Sequence, residues 1–272
     1  MSSSILGRTR IWLQQPAAQR NRLLFQRFLR VAPWTRMTFG MGLARLANIY
    51  WAYHPDSHVA AGGHAEFDQL FARFSRHNRL NNAGDTARLW CFILNIKQVL
   101  EARIDGDFAE LGVWRGNTAA VLAHFALPER RTVYLFDTFK GFSERDFTGP
   151  DVAARPGNFA DTSLDLVREV IGTPWSACEV VAGYFPDSVQ PQHRTRRYAI
   201  VSLDCDLYEP MKAGLEFFYP RMPRGGLLML HDYSSRQWPG AKQAIDEFCR
   251  ASGELMVLLP DKSGSAFIRR AL

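Results

Sequence analysis

The chain has 272 residues, enough to bury a full core, and one domain of ordinary to large size is the default. No apolar run approaches the roughly eighteen residues of a membrane span, and Cys91, Cys178, Cys205 and Cys249 lie too far apart for a metal or redox motif. The net charge of +6 is local: residues 1 to 55 hold eight arginines and no Asp, Glu or Lys, leaving 25 basic and 27 acidic residues elsewhere, so nucleic-acid binding by the main domain is not implied.

The N-terminal segment reads as two helical pieces. Leu24, Phe25, Phe28, Leu29 and Ala32 follow helical spacing, with Arg20, Arg27 and Arg30 on another face, and Pro33 closes that piece. A second stretch runs from about Thr38 to Tyr53. The segment reads first as an arm packed on its own domain or on a second subunit of a homo-oligomer. Its basic, aromatic character also suits peripheral contact with an anionic membrane surface through residues 1 to 55. A transit peptide ranks third, and Arg8 and Arg10 interrupt any secretory apolar core. The expected division is an arm over 1–63 and a main domain over 64–272. Free thiols, three of them inside apolar segments, suit a reducing, cytoplasmic compartment.

After a polar loop from His54 to His64, two helical stretches follow, the second from about Asp85 to Arg103. Strand-like and helix-like runs then alternate. DFAELGV precedes a helix from Asn117 to Phe125, and RTVYLFD precedes a Gly-, Asp-, Phe- and Pro-rich loop over 138 to 162. A helix from Ser163 to Ile171, then CEVVAG and RYAIVSLD, follow. The helix Leu207 to Tyr219, the strand GGLLML and the helix Ala241 to Arg250 complete the alternation. Such a pattern means a parallel sheet covered on both faces. ELMVLLP, a DKSG turn and SAFIRR close the chain, and so short a turn makes the last pair antiparallel.

Ligands of open parallel sheets bind beyond the carboxyl ends of the strands. The first strand runs into ELGVWRGNT (Glu110, Gly112, Val113, Trp114, Gly116, Asn117, Thr118). Its G-x-x-x-G spacing is not the dinucleotide fingerprint. A carboxylate at Glu110 would repel a pyrophosphate and welcome a cation, which favours S-adenosylmethionine over NAD. Asp137, with Thr138 beside it, ends the second strand where an acid can meet ribose hydroxyls; a turn cap is the competing role. Gly183, Tyr184 and Phe185 end the third strand, where an adenine wall should lie, with core packing competing for Phe185. The fourth strand ends in Asp204 and Asp206. Asp206 and Glu209 have the spacing of a capping box, so Asp206 reads as a helix cap. Asp204 does not, and the fifth strand brings His231 and Asp232 to the same level. Converging carboxylates need a cation or raise each other's pKa. Oxygen ligands suit Mg²⁺, and the imidazole suits softer ions.

These residues resemble the macrocin O-methyltransferase family, S-adenosylmethionine-dependent enzymes that methylate sugar hydroxyls of macrolides. The matching stretches are ELGVWRGNTA, FDTFKGF, NFADTSLDLV, VVAGYFPDSV, VSLDCDLYEP, YPRMPRGGLLMLHDY and WPGAKQAIDEF, in order across about residues 85 to 250. The first fifty-odd residues are outside it. The resemblance implies a class I methyltransferase (Rossmann-like) fold, with a mostly parallel seven-stranded sheet. It also implies a divalent metal, usually Mg²⁺, with Asp204 as ligand and further ligands from an Asp-Asp-Tyr motif. Here that motif reads His231-Asp232-Tyr233: Asp232 matches, and His231 replaces an acid.

The expected activity is O-methylation of a sugar, glycoside or glycan hydroxyl. Asp204 and Asp232 would hold the metal, and His231 would be a third ligand or the general base. Phe139, Phe142, Phe147 and Phe159 make 138 to 162 a candidate lid. The alternatives are a phenol- or catechol-type or metal-independent enzyme with His231 as base, and a non-catalytic, membrane-recruited protein that keeps the fold.

Overall fold

A computed structural model describes residues 63–271, so the arm expected over 1–63 lies outside the described residues except at its last position. The first described helices are α1 (Gly63–Phe74), α2 (Arg79–Asn82) and α3 (Thr86–Glu101). Next come β1 (Asp107–Leu111), α4 (Asn117–Ala126) and β2 (Val133–Asp137). The segment 138 to 162 holds two 3₁₀ turns, Glu144–Asp146 and Gly149–Asp151. Then follow α5 (Leu164–Ile171), β3 (Cys178–Ala182), α6 (Pro191–Thr195) and β4 (Tyr198–Leu203). The chain ends with α7 (Tyr208–Phe218), β5 (Leu227–Leu230), α8 (Pro239–Ser252), β6 (Val257–Leu258) and β7 (Ala266–Arg269).

The seven strands lie in the order β3-β2-β1-β4-β5-β7-β6. Every pair from β3 to β5 is parallel, and β7 runs antiparallel to both β5 and β6. The fold is a class I methyltransferase fold, as the resemblance implied, with the parallel strands and antiparallel closing pair that the alternation and hairpin led us to expect. β4 and β5 are buried at every position because helices cover both faces. On one face α7 and α8 pack over Leu111, Phe136, Val201, Leu203, Leu228 and Leu230. On the other, α4 packs on β1 and β2, and α3 on β4 and β5. The order reverses between β1 and β4, and that junction positions the site.

The expected elements differ mainly at their ends. Val257 and Leu258 alone form β6, both exposed, because an edge strand gains pairing from one neighbour only. All four cysteines are free, but Cys205 alone is buried, and the other three are half-buried, on α3, β3 and α8. The capping box at Asp206 does not form. The residue preceding α7 is Leu207, with no side-chain cap, and Asp206 sits at φ +61° in the left-handed region with its carboxyl buried. Among the described residues, no helix is long and apolar enough to cross a membrane.

Candidate active site

The ends of β1, β2, β4 and β5 are tied by backbone hydrogen bonds: Gly112 N–H to Phe136 O, Asp204 N–H to Leu111 O, and His231 N–H to Leu203 O, at 2.9–3.0 Å. Gly112 has φ +87°, and a Cβ there would run into the Asp204 carbonyl. Glycine is required because the turn after β1 and the end of β4 touch through their backbones. Beyond these ends lies a cavity of about 790 Å³.

One half of the cavity collects the residues expected to bind cofactor. Glu110, Gly112, Val113, Trp114, Asn117, Thr118, Asp137, Thr138, Gly183, Tyr184 and Phe185 all line it. Gly116 is the residue before α4, at φ +80° against Val167. Glu110 is 1 % exposed. Burial, then Asp204 and Asp137, push its carboxyl well above the usual range. One of its oxygens has no hydrogen-bond partner among the described residues, as an acid waiting for a cation would.

Asp137 holds the turn itself. Its Oδ2 accepts from the backbone N–H groups of Val113 (2.6 Å) and Trp114 (2.8 Å), and its Oδ1 from Phe139 (2.7 Å). A carboxylate has about four lone-pair sites, and the Thr138 hydroxyl stands 3.5 Å from Oδ1, so the turn itself takes up most of this carboxylate's capacity. The Asn117 amide is spent on the carbonyls of Arg73 and Arg76, closing the end of α1. Phe185 is 4 % exposed and packs on Phe136, Phe217 and Phe218, so it is a core residue whose ring also borders the cavity.

The other half is acidic. His231 Nδ1 lies 2.7 Å from Asp204 Oδ1 and 2.6 Å from Asp232 Oδ2. Asp204, His231 and Asp232 each offer a ligand atom within 4.8 Å of the others, the set the sequence singled out. Burial alone would lower the imidazole's pKa. Asp204 and Asp232 outweigh it, against Arg88, and the net shift is well upward. Asp206 joins the cluster by hydrogen-bonding to Asp232. Burial and the neighbouring Asp232 and Asp204 raise its carboxyl well above the ordinary range. Burial also works against the Asp232 carboxylate, but His231 and Asp206 bring it below its ordinary value.

Arg88 escaped the sequence reading. It is 4 % exposed on α3, bonded to Asn82 (2.6 Å), 3.3 Å from Asp85 Oδ2 and 3.8 Å from Asp204 Oδ2, with Phe74 under its guanidinium. The available signal was a charge at the position four before Phe92 on an otherwise apolar stripe.

The segment 138 to 162 closes over both halves. Phe142 and Phe159 meet Trp238 (5.2 and 6.0 Å between centroids), and Phe159 meets Trp114 edge-on. Asp146 accepts from the Tyr184 hydroxyl at 2.6 Å, and Asp161 from the Trp114 indole at 2.9 Å. Five non-glycine residues at or beside the site take left-handed backbone: Trp114, Phe139, Phe159, Asp206 and Asp232. Strain of this kind gathers at functional sites.

The model of the Macrocin-O-methyltransferase (TylF) family matches residues 83–257. The chain belongs to that family. Among curated proteins, it is 32 % identical over 151 residues to the 8-demethyl-8-(2,3-dimethoxy-alpha-L-rhamnosyl)-tetracenomycin-C 4'-O-methyltransferase of Streptomyces olivaceus, covering 51 % of this chain and 57 % of that one. It is 28 % identical over 173 residues to the mycinamicin III 3''-O-methyltransferase of Micromonospora griseorubida, covering 56 % and 64 %. The match thus spans less than two thirds of either relative. Among solved structures, the O-methyltransferase NovP aligns with TM-score 0.59 at 24 % identity (68 % of this chain, 80 % of that one). The calicheamicin methyltransferase CalS11 aligns with TM-score 0.58 at 22 % (88 % and 94 %). These two likenesses concern the fold.

Proposed function

We propose that the protein is a cytoplasmic S-adenosylmethionine-dependent O-methyltransferase acting on a sugar hydroxyl of a glycosylated small molecule or glycan. The observation that carries this reading is the junction of β1 and β4: a cation-seeking Glu110 and a glycine turn on one side, and Asp204, His231 and Asp232 on the other, in one cavity of a macrocin-type methyltransferase. The tetracenomycin and mycinamicin relatives are named for methylation of sugar-bearing natural products, which supports the acceptor class.

S-adenosylmethionine would supply the electrophilic methyl group. Glu110 would face its cationic end, the Gly112–Gly116 turn its backbone, Asp137 its ribose, and Gly183 to Phe185 its base. The enzyme's task is then mainly alignment, with the 138 to 162 segment excluding water. A divalent cation, Mg²⁺ or a softer ion suited to the imidazole, would be held by Asp204, Asp232 and His231 and would acidify the acceptor hydroxyl. The donor set fits such an ion, since three ligand atoms already converge.

A second, metal-independent reading has its own support. His231 and Arg88 already place two cationic groups against Asp204, and His231 Nε2 is buried without a partner among the described residues. His231 would then take the hydroxyl proton itself. Its raised pKa means that turnover climbs with pH as the imidazole gives up its proton.

Calorimetry with S-adenosylhomocysteine, then an acceptor screen of glycosides and catechols with and without chelator, tests all of this. Cofactor binding with chelator-sensitive turnover of a glycoside is expected. Chelator-resistant turnover rising with pH favours His231 as base, catechol turnover removes the sugar, and binding without turnover on any acceptor favours a non-catalytic role. The arm's proposed roles, in a homo-oligomer or at an anionic membrane, rest on its arginines alone.

A further inference from the structure

The two helices that follow the acidic loops lack caps of their own. α7 begins four residues after Asp204, and α8 seven after Asp232. The residues preceding them are Leu207 and Trp238, and neither offers a side-chain hydrogen bond. Apolar residues are poor helix caps, and each uncapped helix leaves N–H groups without intrahelical partners.

The missing acceptor comes from the lid. Asp151, in the 3₁₀ turn Gly149–Asp151, is 3 % exposed and accepts from the Tyr208 backbone N–H at 2.6 Å. The Gly240 N–H of α8 lies close to the same carboxylate and acts on it electrostatically, while the carboxylate's Oδ1 makes no direct hydrogen bond among the described residues, and a Cβ at Gly240 would collide with it. Gly240 therefore has no side chain at the position where the carboxylate reaches the second helix. Both helix dipoles favour an anion at this point. Burial raises the Asp151 carboxyl, and the Tyr208 and Gly240 amides pull it back. Around it, Leu207, Ala154 and Trp238 form a small apolar core, with Phe142, Phe147 and Phe159 packed on it. Asp151 neither belongs to the Asp204, His231 and Asp232 set nor lies among the cavity-lining residues.

We propose that Asp151 is a positioning residue, a latch by which the 138–162 segment caps α7 and α8 together and fixes the two acidic loops that precede them; its effect on turnover rests on the function proposed above. Opening the lid removes one carboxylate from the N-terminal ends of two helices at once. Lid closure and the alignment of Asp204 with His231 and Asp232 are thereby a single event.

The test uses the full chain and its Asp151→Ala, Asp151→Asn and Gly240→Ala variants. Gly240→Ala leaves the carboxylate in the chain but denies it its place. Hydrogen exchange at the Tyr208 and Gly240 amides should quicken about tenfold or more in Asp151→Ala and Gly240→Ala, with the β1 and β4 amides unchanged. Trypsin cleavage after the exposed Lys140 and Arg145 should quicken by a similar factor. Asp151→Asn, which keeps an acceptor, should fall between these variants and the wild type. S-adenosylhomocysteine affinity should stay within about twofold, while kcat on a glycoside falls about tenfold. Unchanged exchange at both amides, or acceleration spread evenly over the core, overturns the latch. If the wild type methylates no acceptor, the proposed function fails, and exchange and cleavage still judge the latch. If Asp151→Ala does not fold, Gly240→Ala and Asp151→Asn decide the matter by the same readings.

Discussion

The two halves of the cavity handle buried charge in opposite ways. On the side of β1 and β2, Asp137 is satisfied by three backbone N–H groups at 2.6–2.8 Å. Its charge is compensated by the chain's own amides, and the geometry is fixed before any ligand arrives. On the side of β4 and β5, Asp204, Asp206 and Asp232 share one imidazole and one guanidinium, with side chains meeting side chains. Backbone compensation gives rigidity; side-chain compensation leaves protons and ions free to move. The proposed methyl transfer needs both, a fixed donor and a site that can accept a hydroxyl proton.

The strongest way to break this contrast is at the point where the halves touch. Gly112→Ala would place a methyl group against the Asp204 carbonyl at a φ of +87°. Strain and steric displacement together should cost roughly 3–5 kcal/mol, which is a large share of the stability of an ordinary domain. Urea unfolding should show it, with loss of cofactor binding and turnover together. A variant of near-native stability would mean that the two strand ends are not in the register described.

A smaller effect separates the roles of Asp137. Asp137→Ala removes an acceptor from three amides and should cost about 2–3 kcal/mol, since hydrogen bonds to a charged group are worth about 1.5–3 each and water replaces part of the loss. Cofactor affinity should fall with it, because the Val113 and Trp114 amides lose their anchor. A variant that loses affinity at unchanged stability would make Asp137 a ribose ligand first and a turn anchor second.

The parallel strands, the antiparallel closing pair and the cavity's main residues were legible because they are written in local pattern. DFAEL, VYLFD and YAIVSL are apolar runs of strand length, and glycines or acids mark their carboxyl ends. His231 and Asp232 could be placed beside Asp204 from the strand alternation alone. The lid's grip on α7 and α8 was not legible, because Asp151 lies 57 residues before the amide it meets. Arg88 escaped for a related reason: pairing with Asp204 is a long-range contact, and the local pattern around it reads as an ordinary amphipathic helix. Asp206 failed in the opposite sense. A local motif, with Glu209 three residues on, suggested a cap, and the tertiary cluster claimed the carboxyl instead.

That last difference yields the smallest expected effect and the sharpest sign. Asp206 is buried beside Asp232 and Asp204, and its carboxyl is held well above the ordinary value of 3.8. The folded protein therefore keeps a proton that the unfolded chain releases. Stability linked to this group is fully present at low pH and is lost as pH rises from the ordinary carboxylate range through the raised folded value. Asp206→Asn has no proton to lose, so its stability should vary less between pH 5 and pH 8 than that of the wild type. At pH 8 the variant should equal or exceed the wild type in urea midpoint. A helix cap behaves otherwise: its removal costs about 1 kcal/mol, and an asparagine restores most of that, with little dependence on pH above the carboxylate range. Asp206→Ala sharpens the contrast, since it should cost little at pH 8 if the carboxyl is a strained member of the acidic cluster. A loss of about 1 kcal/mol or more in Asp206→Ala at pH 8, recovered in Asp206→Asn, would return the residue to the end of α7.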